Sequence, residues 1–94
     1  MAVKIFIKRK MNQSHVNQLN SLLTKLRSLT LNQPGYISGE TLHRIDKPGE
    51  SMVVSSWRSV EDWNTWVNNE KRRAIQEEID QLLGEETDYE IYGS

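Results

Sequence analysis

Residues 52–80, MVVSSWRSVEDWNTWVNNEKRRAIQEEID, contain all three tryptophans of the chain. The first three residues of this stretch are apolar, which indicates a strand with apolar groups on both faces that ends at Trp57. Ser59, followed three residues later by Asp62, resembles a variant capping box and predicts the start of a helix. The stretch therefore predicts a strand-to-helix junction where bulky aromatic surface is concentrated.

Apolar periodicity predicts the elements on either side of this junction. Alternation indicates a first strand over residues 2–9, and an apolar stripe at spacings of three and four indicates a helix from Ser14 to residues 30–33. Residues 36–45 form a second predicted strand, with Gly39 as a candidate bulge, and the third strand covers residues 51–57. The helix after Ser59 has a permitted break at residues 68–69 and ends near Gly84, before a last strand around residues 89–91.

The resulting order, β-α-β-β-α-β, predicts an α+β, ferredoxin-like fold with a four-stranded antiparallel sheet covered by helices on one face. A chain of 94 residues has room for one domain, which we expect to cover residues 1–94. Phe6 and the doubly apolar third strand place apolar groups on the uncovered face of the sheet. We therefore expect a homodimer in which two sheets meet face to face.

Composition excludes several classes of function. The 12 Lys and Arg residues nearly cancel the 13 Asp and Glu residues, so no overall field favours nucleic acid or a membrane surface as a partner. The absence of cysteine excludes disulfides and thiolate metal sites, and fits a cytoplasmic location. No metal-binding, dinucleotide, P-loop or hydrolase motif is present, and no signal peptide or membrane-spanning run is expected. The short basic runs at residues 8–10 and 71–73 are interpreted as solvated faces.

Two segments resemble a known family: PGYISGETL at residues 34–42, and VEDWNTW at residues 60–66 after a strand that ends in Trp57. Together they resemble the antibiotic biosynthesis monooxygenase domain, a dimeric α/β-barrel, and the similarity extends from Val3 to Tyr92. The family includes quinol and polyketide oxygenases, haem-degrading enzymes and members without an assigned reaction. The resemblance implies a cavity between sheet and helices in which a small aromatic substrate reacts with O2.

Trp66 matches the tryptophan of the family's second helix, and the resemblance makes it a substrate-binding candidate. Trp63 lies one turn earlier on the same helix face, so both indoles could contact a flat substrate. Arg72 or Arg73 is a candidate for the rim of the pocket. The alternative is that the tryptophans serve packing or the dimer interface, which the sequence favours for Trp57 and Trp63.

The haem-degrading members provide a contrast. Resemblance to them requires an asparagine on the first strand, a helical tryptophan and, about three turns later, a histidine that ligates iron. Residues 7 and 8 are Ile and Lys, and Gln76 stands where the histidine is expected. A glutamine amide is a poor haem ligand beside imidazole, so the sequence predicts neither haem nor another cofactor.

His43 is the candidate for proton transfer, because it lies mid-strand and its imidazole could titrate near neutrality. Strand parity places it with Ile37, Thr41 and Ile45, and places Glu40 with Leu42 and Arg44 on the opposite face, unless a bulge at Gly39 changes the register. A surface histidine is the simpler alternative. Two functions remain open: a cofactor-independent monooxygenase acting on a phenolic, quinol or polyketide-like molecule, and a dimeric protein of the same fold that binds or senses a small ligand without turnover.

Overall fold

A computed structural model describes residues 2–10 and 13–93 of the chain. Its elements are β1 (Val3–Lys10), a 3-10 turn (Gln13–His15), α1 (Val16–Thr30), β2 (Tyr36–His43), β3 (Glu50–Trp57), α2 (Val60–Val67), α3 (Glu70–Leu83) and β4 (Asp88–Gly93). The strands form one antiparallel sheet in the order β2-β3-β1-β4. This is the predicted ferredoxin-like arrangement, with the second helical region divided into two helices.

One face of the sheet and the helices enclose the core. On β1 the residues Val3, Ile5 and Ile7 are buried and alternate with exposed lysines, because successive side chains of a strand point to opposite faces. The apolar core also includes one buried side chain or more from each of α1, β3, α2 and α3: Leu19, Leu26, Trp57, Trp63, Trp66 and Ile79. The tryptophan-rich junction therefore supplies a third of the buried apolar residues.

The boundaries of α2 and α3 lie where the sequence predicts them. Ser59 is the N-cap of α2, and its Oγ accepts the backbone N–H of Asp62 at 3.2 Å. The break at residues 68–69 is also present: Asn69 Oδ1 accepts the backbone N–H groups of Lys71 and Arg72, which starts α3 in a new direction. Gly84 ends α3 in the left-handed conformation, with φ of 74°.

The second strand differs from its prediction in two respects. It ends at His43 rather than at residue 45, because Arg44 turns to bind Glu50 and Asp46 with its side chain. The irregularity in its pairing with β3 lies between Tyr36 and Ser38, not at Gly39. The extra residue, Ile37, has no partner on β3, and Tyr36 lies opposite Trp57 on the helix-facing side, so simple strand parity does not extend from His43 to Ile37.

The other face of the sheet is not covered by helices. Phe6 packs edge-on against Tyr92 there, with ring centroids 5.1 Å apart, and the register brings Met52 and Val54 alongside. Lys8 and Glu90 form an ion pair of 3.2 Å on the same face. None of the helices in the described ranges has the length and apolar character needed to span a bilayer.

Candidate functional site

A cavity of about 360 Å³ lies between α1 and the part of the sheet formed by β1, β2 and β3. Its volume is within the range of pockets that bind small organic molecules, roughly 300–1,000 Å³. The exposed residues that line it include Asn20, Thr24 and Arg27 on α1, and Thr41 and His43 on β2. Because these two groups face each other across the outer edge of the cavity, the opening lies between α1 and β2.

All three tryptophans line the cavity, and all are nearly inaccessible to solvent. Trp57 is at the end of β3, and its ring meets Tyr36 and Trp63 edge-on at centroid distances of 5.4 and 5.7 Å. Its indole N–H donates to Ser55 Oγ at 3.2 Å. The choice between core and pocket therefore does not arise for these residues, since each serves as core on one side and as cavity wall on the other.

Trp63 and Trp66 differ from Trp57 in their polar edges. In the described ranges, no hydrogen bond joins either of their indole N–H groups to another residue, whereas that of Trp57 is engaged. An indole N–H can donate to an oxygen atom of a bound molecule. Trp66, which is only 3% exposed, lines this cavity and also borders a second cleft beside Leu29 and Asn69.

Two buried arginines also line the cavity. Arg9, on β1, is 5% exposed, and Arg72, in the first turns of α3, is 2% exposed. Arg72 Nη2 donates to the Tyr89 hydroxyl at 2.8 Å, and its guanidinium lies over the Trp63 and Tyr89 rings, 5.3 and 5.2 Å from their centroids. Arg9 Nη2 donates to Gln76 Oε1 at 3.4 Å.

Burial weakens the protonated form of Arg9. Desolvation is the main cause that lowers the pKa of its guanidinium, and the neighbouring positive charge of Arg72 adds to it. Tyr89 and Asp80 act in the opposite direction. The guanidinium stays charged at neutral pH, because an arginine pKa starts so far above 7. The cavity wall thus holds two positive charges close enough to repel one another.

Gln76 connects Arg9 to the far end of α3. Its Oε1 accepts from Arg9, and its Nε2 donates to Asp80 Oδ1 and Thr87 Oγ1, each at 2.8 Å. Gln76, which the resemblance places where an iron-ligating histidine was expected, is therefore hydrogen-bonded to its neighbours, and an amide held in this way does not fit haem. In the same described ranges, no group of three His, Asp or Glu residues is arranged to hold a metal ion.

His43 lies at the opening of the cavity. The strand register places it in one transverse row with Ser51 of β3 and Arg9 of β1, all on the helix-facing side. Glu40 is opposite Val54 and therefore belongs to the other face, as strand parity predicts. Within the described residues, no side chain is hydrogen-bonded to the imidazole. His43 is placed to meet a ligand that enters, without a carboxylate that orients it.

The two buried arginines correct an interpretation of the sequence. The runs at residues 8–10 and 71–73 were expected to be solvated; Lys8, Lys10, Lys71 and Arg73 are exposed, but Arg9 and Arg72 are buried. Arg72 was also expected at the rim, and it lies deep in the wall instead. The spacing of both arginines in the sequence indicates that they are buried. Arg9 continues the buried alternation of Val3, Ile5 and Ile7 along the strand. Arg72 lies on one helix face with the residues three, four and seven positions later, Ile75, Gln76 and Ile79.

A family model described as antibiotic biosynthesis monooxygenase matches residues 2–78 of the chain. No curated protein matches it in sequence. Among solved structures, a conserved protein from Methanosarcina mazei Go1 is 18% identical, with a TM-score of 0.89 over 98% of this chain and 91% of that one.

Two further structures show the same fold. SnoaB, described as a cofactor-independent oxygenase from Streptomyces nogalater, is 11% identical, with a TM-score of 0.85 over 99% of this chain and 92% of its own. Rv0793 from Mycobacterium tuberculosis is 15% identical, with a TM-score of 0.87 over 100% and 95% of the two chains. At these low sequence identities the similarity of the structures establishes only the fold. The family is established by the match of the sequence to the family model.

Proposed function

The chain belongs to the antibiotic biosynthesis monooxygenase family, and on that premise we propose that it is a cofactor-independent monooxygenase that oxidises a small aromatic substrate with O2. The observation that carries the proposal is the cavity, whose wall contains three indole rings; two of them, Trp63 and Trp66, have no hydrogen-bond partner for their N–H among the described residues. SnoaB, of the same fold, is described as a cofactor-independent oxygenase, which supports this choice. Phenolic, quinol and polyketide-like molecules are the substrate classes we propose.

The reaction needs no external reductant when the substrate supplies all the electrons. For an anthrone, in which a CH2 group and a carbonyl group both bridge the same two aromatic rings, oxidation of the CH2 group to a second ketone consumes one O2 and releases one water. A proton leaves the CH2 group, the resulting carbanion is delocalised onto an oxyanion, and it transfers electrons to O2. A C–O bond then forms, and loss of water breaks the O–O bond.

The residues of the cavity are assigned roles on this basis. Trp66 donates its N–H to the developing oxyanion, which lowers the barrier because a positioned donor is worth several kcal/mol in a dry site. The faces of Trp63 and Trp66 hold the rings of the substrate by stacking. His43, at the opening, accepts the proton and can release it to solvent. Arg72 contacts the substrate from the wall of the cavity.

Oxygen uptake with a panel of anthrones and hydroquinones tests the function. We expect saturable uptake by the wild-type protein and a product with the mass of the ketone or quinone. Trp66→Phe keeps an aromatic core residue but lacks the N–H, so kcat should fall by about 10²-fold or more. His15→Gln, in the 3-10 turn outside the cavity, is the matched control and should keep full activity. Binding of the same molecules without uptake would instead favour a protein that binds or senses a ligand without turnover.

We also propose that two copies associate through the uncovered face of the sheet. Tyr92 and Leu42 on that face are 54% and 45% exposed, and they flank Phe6. Mixed charges surround these apolar groups, as at the rim of a protein interface. Sedimentation should show a dimer at micromolar concentration and a monomer for Phe6→Lys. Ile45→Lys alters an apolar side chain that is 97% exposed beyond the sheet and should leave the dimer intact. A wild-type monomer would overturn this proposal.

A further inference from the structure

We propose that Arg9 and Arg72 form a carboxylate-binding subsite in the cavity, so that the substrate is an aromatic carboxylate. The inference rests on the proposed function in one respect, since it assigns the class of molecule that enters the same cavity. It depends on the two buried guanidinium groups, which among the described residues lack a carboxylate partner and a hydrogen-bond acceptor for Nε.

Among the described residues neither arginine forms an ion pair, although Asp80, which is hydrogen-bonded to Gln76, favours the charged form of Arg9. A guanidinium has five N–H donors, and in the described ranges each of these groups makes one side-chain hydrogen bond, Arg9 to Gln76 and Arg72 to Tyr89. No carboxylate of a described residue lies within 4.0 Å of either of them. The Nε atoms of both are buried without a partner. Such donors are rare in folded proteins, because an unsatisfied buried donor is costly.

Packing does not account for the pair. The contacts of Arg72 with Trp63 and Tyr89 involve the face of the guanidinium, and among the described residues only one of its five N–H donors is hydrogen-bonded, to Tyr89. Among the described residues no aromatic ring faces Arg9 in this way, and its hydrogen bond to Gln76 is long, at 3.4 Å. Hydrophobic residues of similar volume at buried charged positions are often neutral or stabilising. Two like charges in one cavity wall therefore indicate an anion that binds between them.

The chemistry of the cavity selects a carboxylate on an aromatic ring. The planar guanidinium fork matches the two oxygens of a carboxylate, and hydrogen bonds between charged groups are the strong ones. Arg9 and Arg72 line the same space as Trp63 and Trp66, so a molecule held by its carboxylate has its rings against the indoles. This anchoring would fix which ring carbon lies near the Trp66 N–H, and thus where oxygen is introduced.

Isothermal titration calorimetry under argon, with 2-naphthoic acid and 2-naphthamide at pH 7, tests the inference. The two molecules share shape and rings and differ in charge. We expect the acid to bind the wild-type protein about tenfold to a hundredfold more tightly than the amide, as for a hydrogen-bonded charge. The ratio should approach one in Arg9→Met and in Arg72→Met. Arg73→Gln, which removes an exposed charge next to Arg72, should keep it.

Each result has a defined meaning. Equal affinity of the acid and the amide for the wild-type protein, or discrimination retained in both variants, would overturn the carboxylate subsite and leave the monooxygenase proposal standing. Failure of both molecules to bind would overturn the subsite and the proposed binding of small aromatic molecules in the cavity together. Discrimination without oxygen uptake from any aromatic substrate would confirm the subsite and overturn the enzyme. If Arg72→Met fails to fold, Arg9→Met decides the outcome by itself.

Discussion

Replacement of Arg9 by methionine should make the free protein as stable as the wild type or more stable, while it removes binding of carboxylates. This combination distinguishes a residue kept for a ligand from one that holds the fold together. The aliphatic stem of methionine is similar to that of arginine and can occupy the same position between Ile7 and the cavity. The comparison is made in the absence of ligand.

The expected magnitude follows from the surroundings of Arg9. The substitution removes a buried Nε donor that has no partner, which should stabilise the protein by roughly 1–3 kcal/mol. It also removes a buried charge, whose desolvation costs several kcal/mol in the wild type. It also removes the repulsion from Arg72 that contributes to the lowered pKa of Arg9. Against this stand the hydrogen bond to Gln76, about 1.5–3 kcal/mol, its vacated oxygen, about 1–3 kcal/mol, and the attraction of Tyr89 and Asp80 for the charge. The net free energy of unfolding should rise by about 0–2 kcal/mol.

Urea denaturation followed by tryptophan fluorescence measures this change, because three tryptophans surround the site. A rise of about 1 kcal/mol corresponds to roughly 4–8 °C in Tm for a domain of this size. Lys10→Met, an exposed neighbour on the same strand, is the control and should change stability by less than about 0.5 kcal/mol. A saturating aromatic carboxylate, at about 100 times its Kd, should add about 2.7 kcal/mol to the wild type and nothing to Arg9→Met.

Destabilisation by more than about 2 kcal/mol would refute the reasoning. It would show that Arg9 supports the fold through its contact with Gln76, and that the unpartnered Nε carries no functional meaning. An equal gain in stability from the carboxylate in the wild type and the variant would refute it in the same way, since the anion would then bind elsewhere.

Three other expectations concern the local structure. Asn69→Ala removes the N-cap of α3 and should lower the free energy of unfolding by about 1 kcal/mol in urea titrations. Gly35→Ala should lower it by more than about 1 kcal/mol, because Gly35 has φ of 84° and a Cβ there would meet the side chain of Asp62; an unchanged Tm would contradict this. Asp46 accepts two hydrogen bonds from Arg44, which hold the pKa of its carboxyl below the usual 3.8. Its contribution to stability is therefore present above pH 3.8 and lost as the pH falls through the lowered pKa. Arg44→Gln should raise that pKa in an NMR titration.

Local patterns sufficed for the arrangement of the elements. The alternation along β1, the apolar stripe of α1, the serine that caps α2 and the glycine that ends α3 each act over a few residues, and all four are present as predicted. The junction around Trp57 identified the family because its residues set the packing of strand against helix. The sequence predicted the bulge of β2 at Gly39, but it lies at Ile37. The prediction was wrong because the pairing of two strands depends on both partners and on the loop between them.

The character of the cavity was decided by tertiary structure. Read along the chain, Arg9 and Arg72 each belong to a short basic run, and isolated runs of this kind are usually solvated. They are 63 residues apart in sequence, and only the packing of α3 against β1 and β4 brings them to one buried wall. Burial is a collective property of the elements that surround a side chain. The sequence by itself determined the fold and the family, whereas the meeting of two unpaired guanidinium groups with three indoles followed from the tertiary contacts.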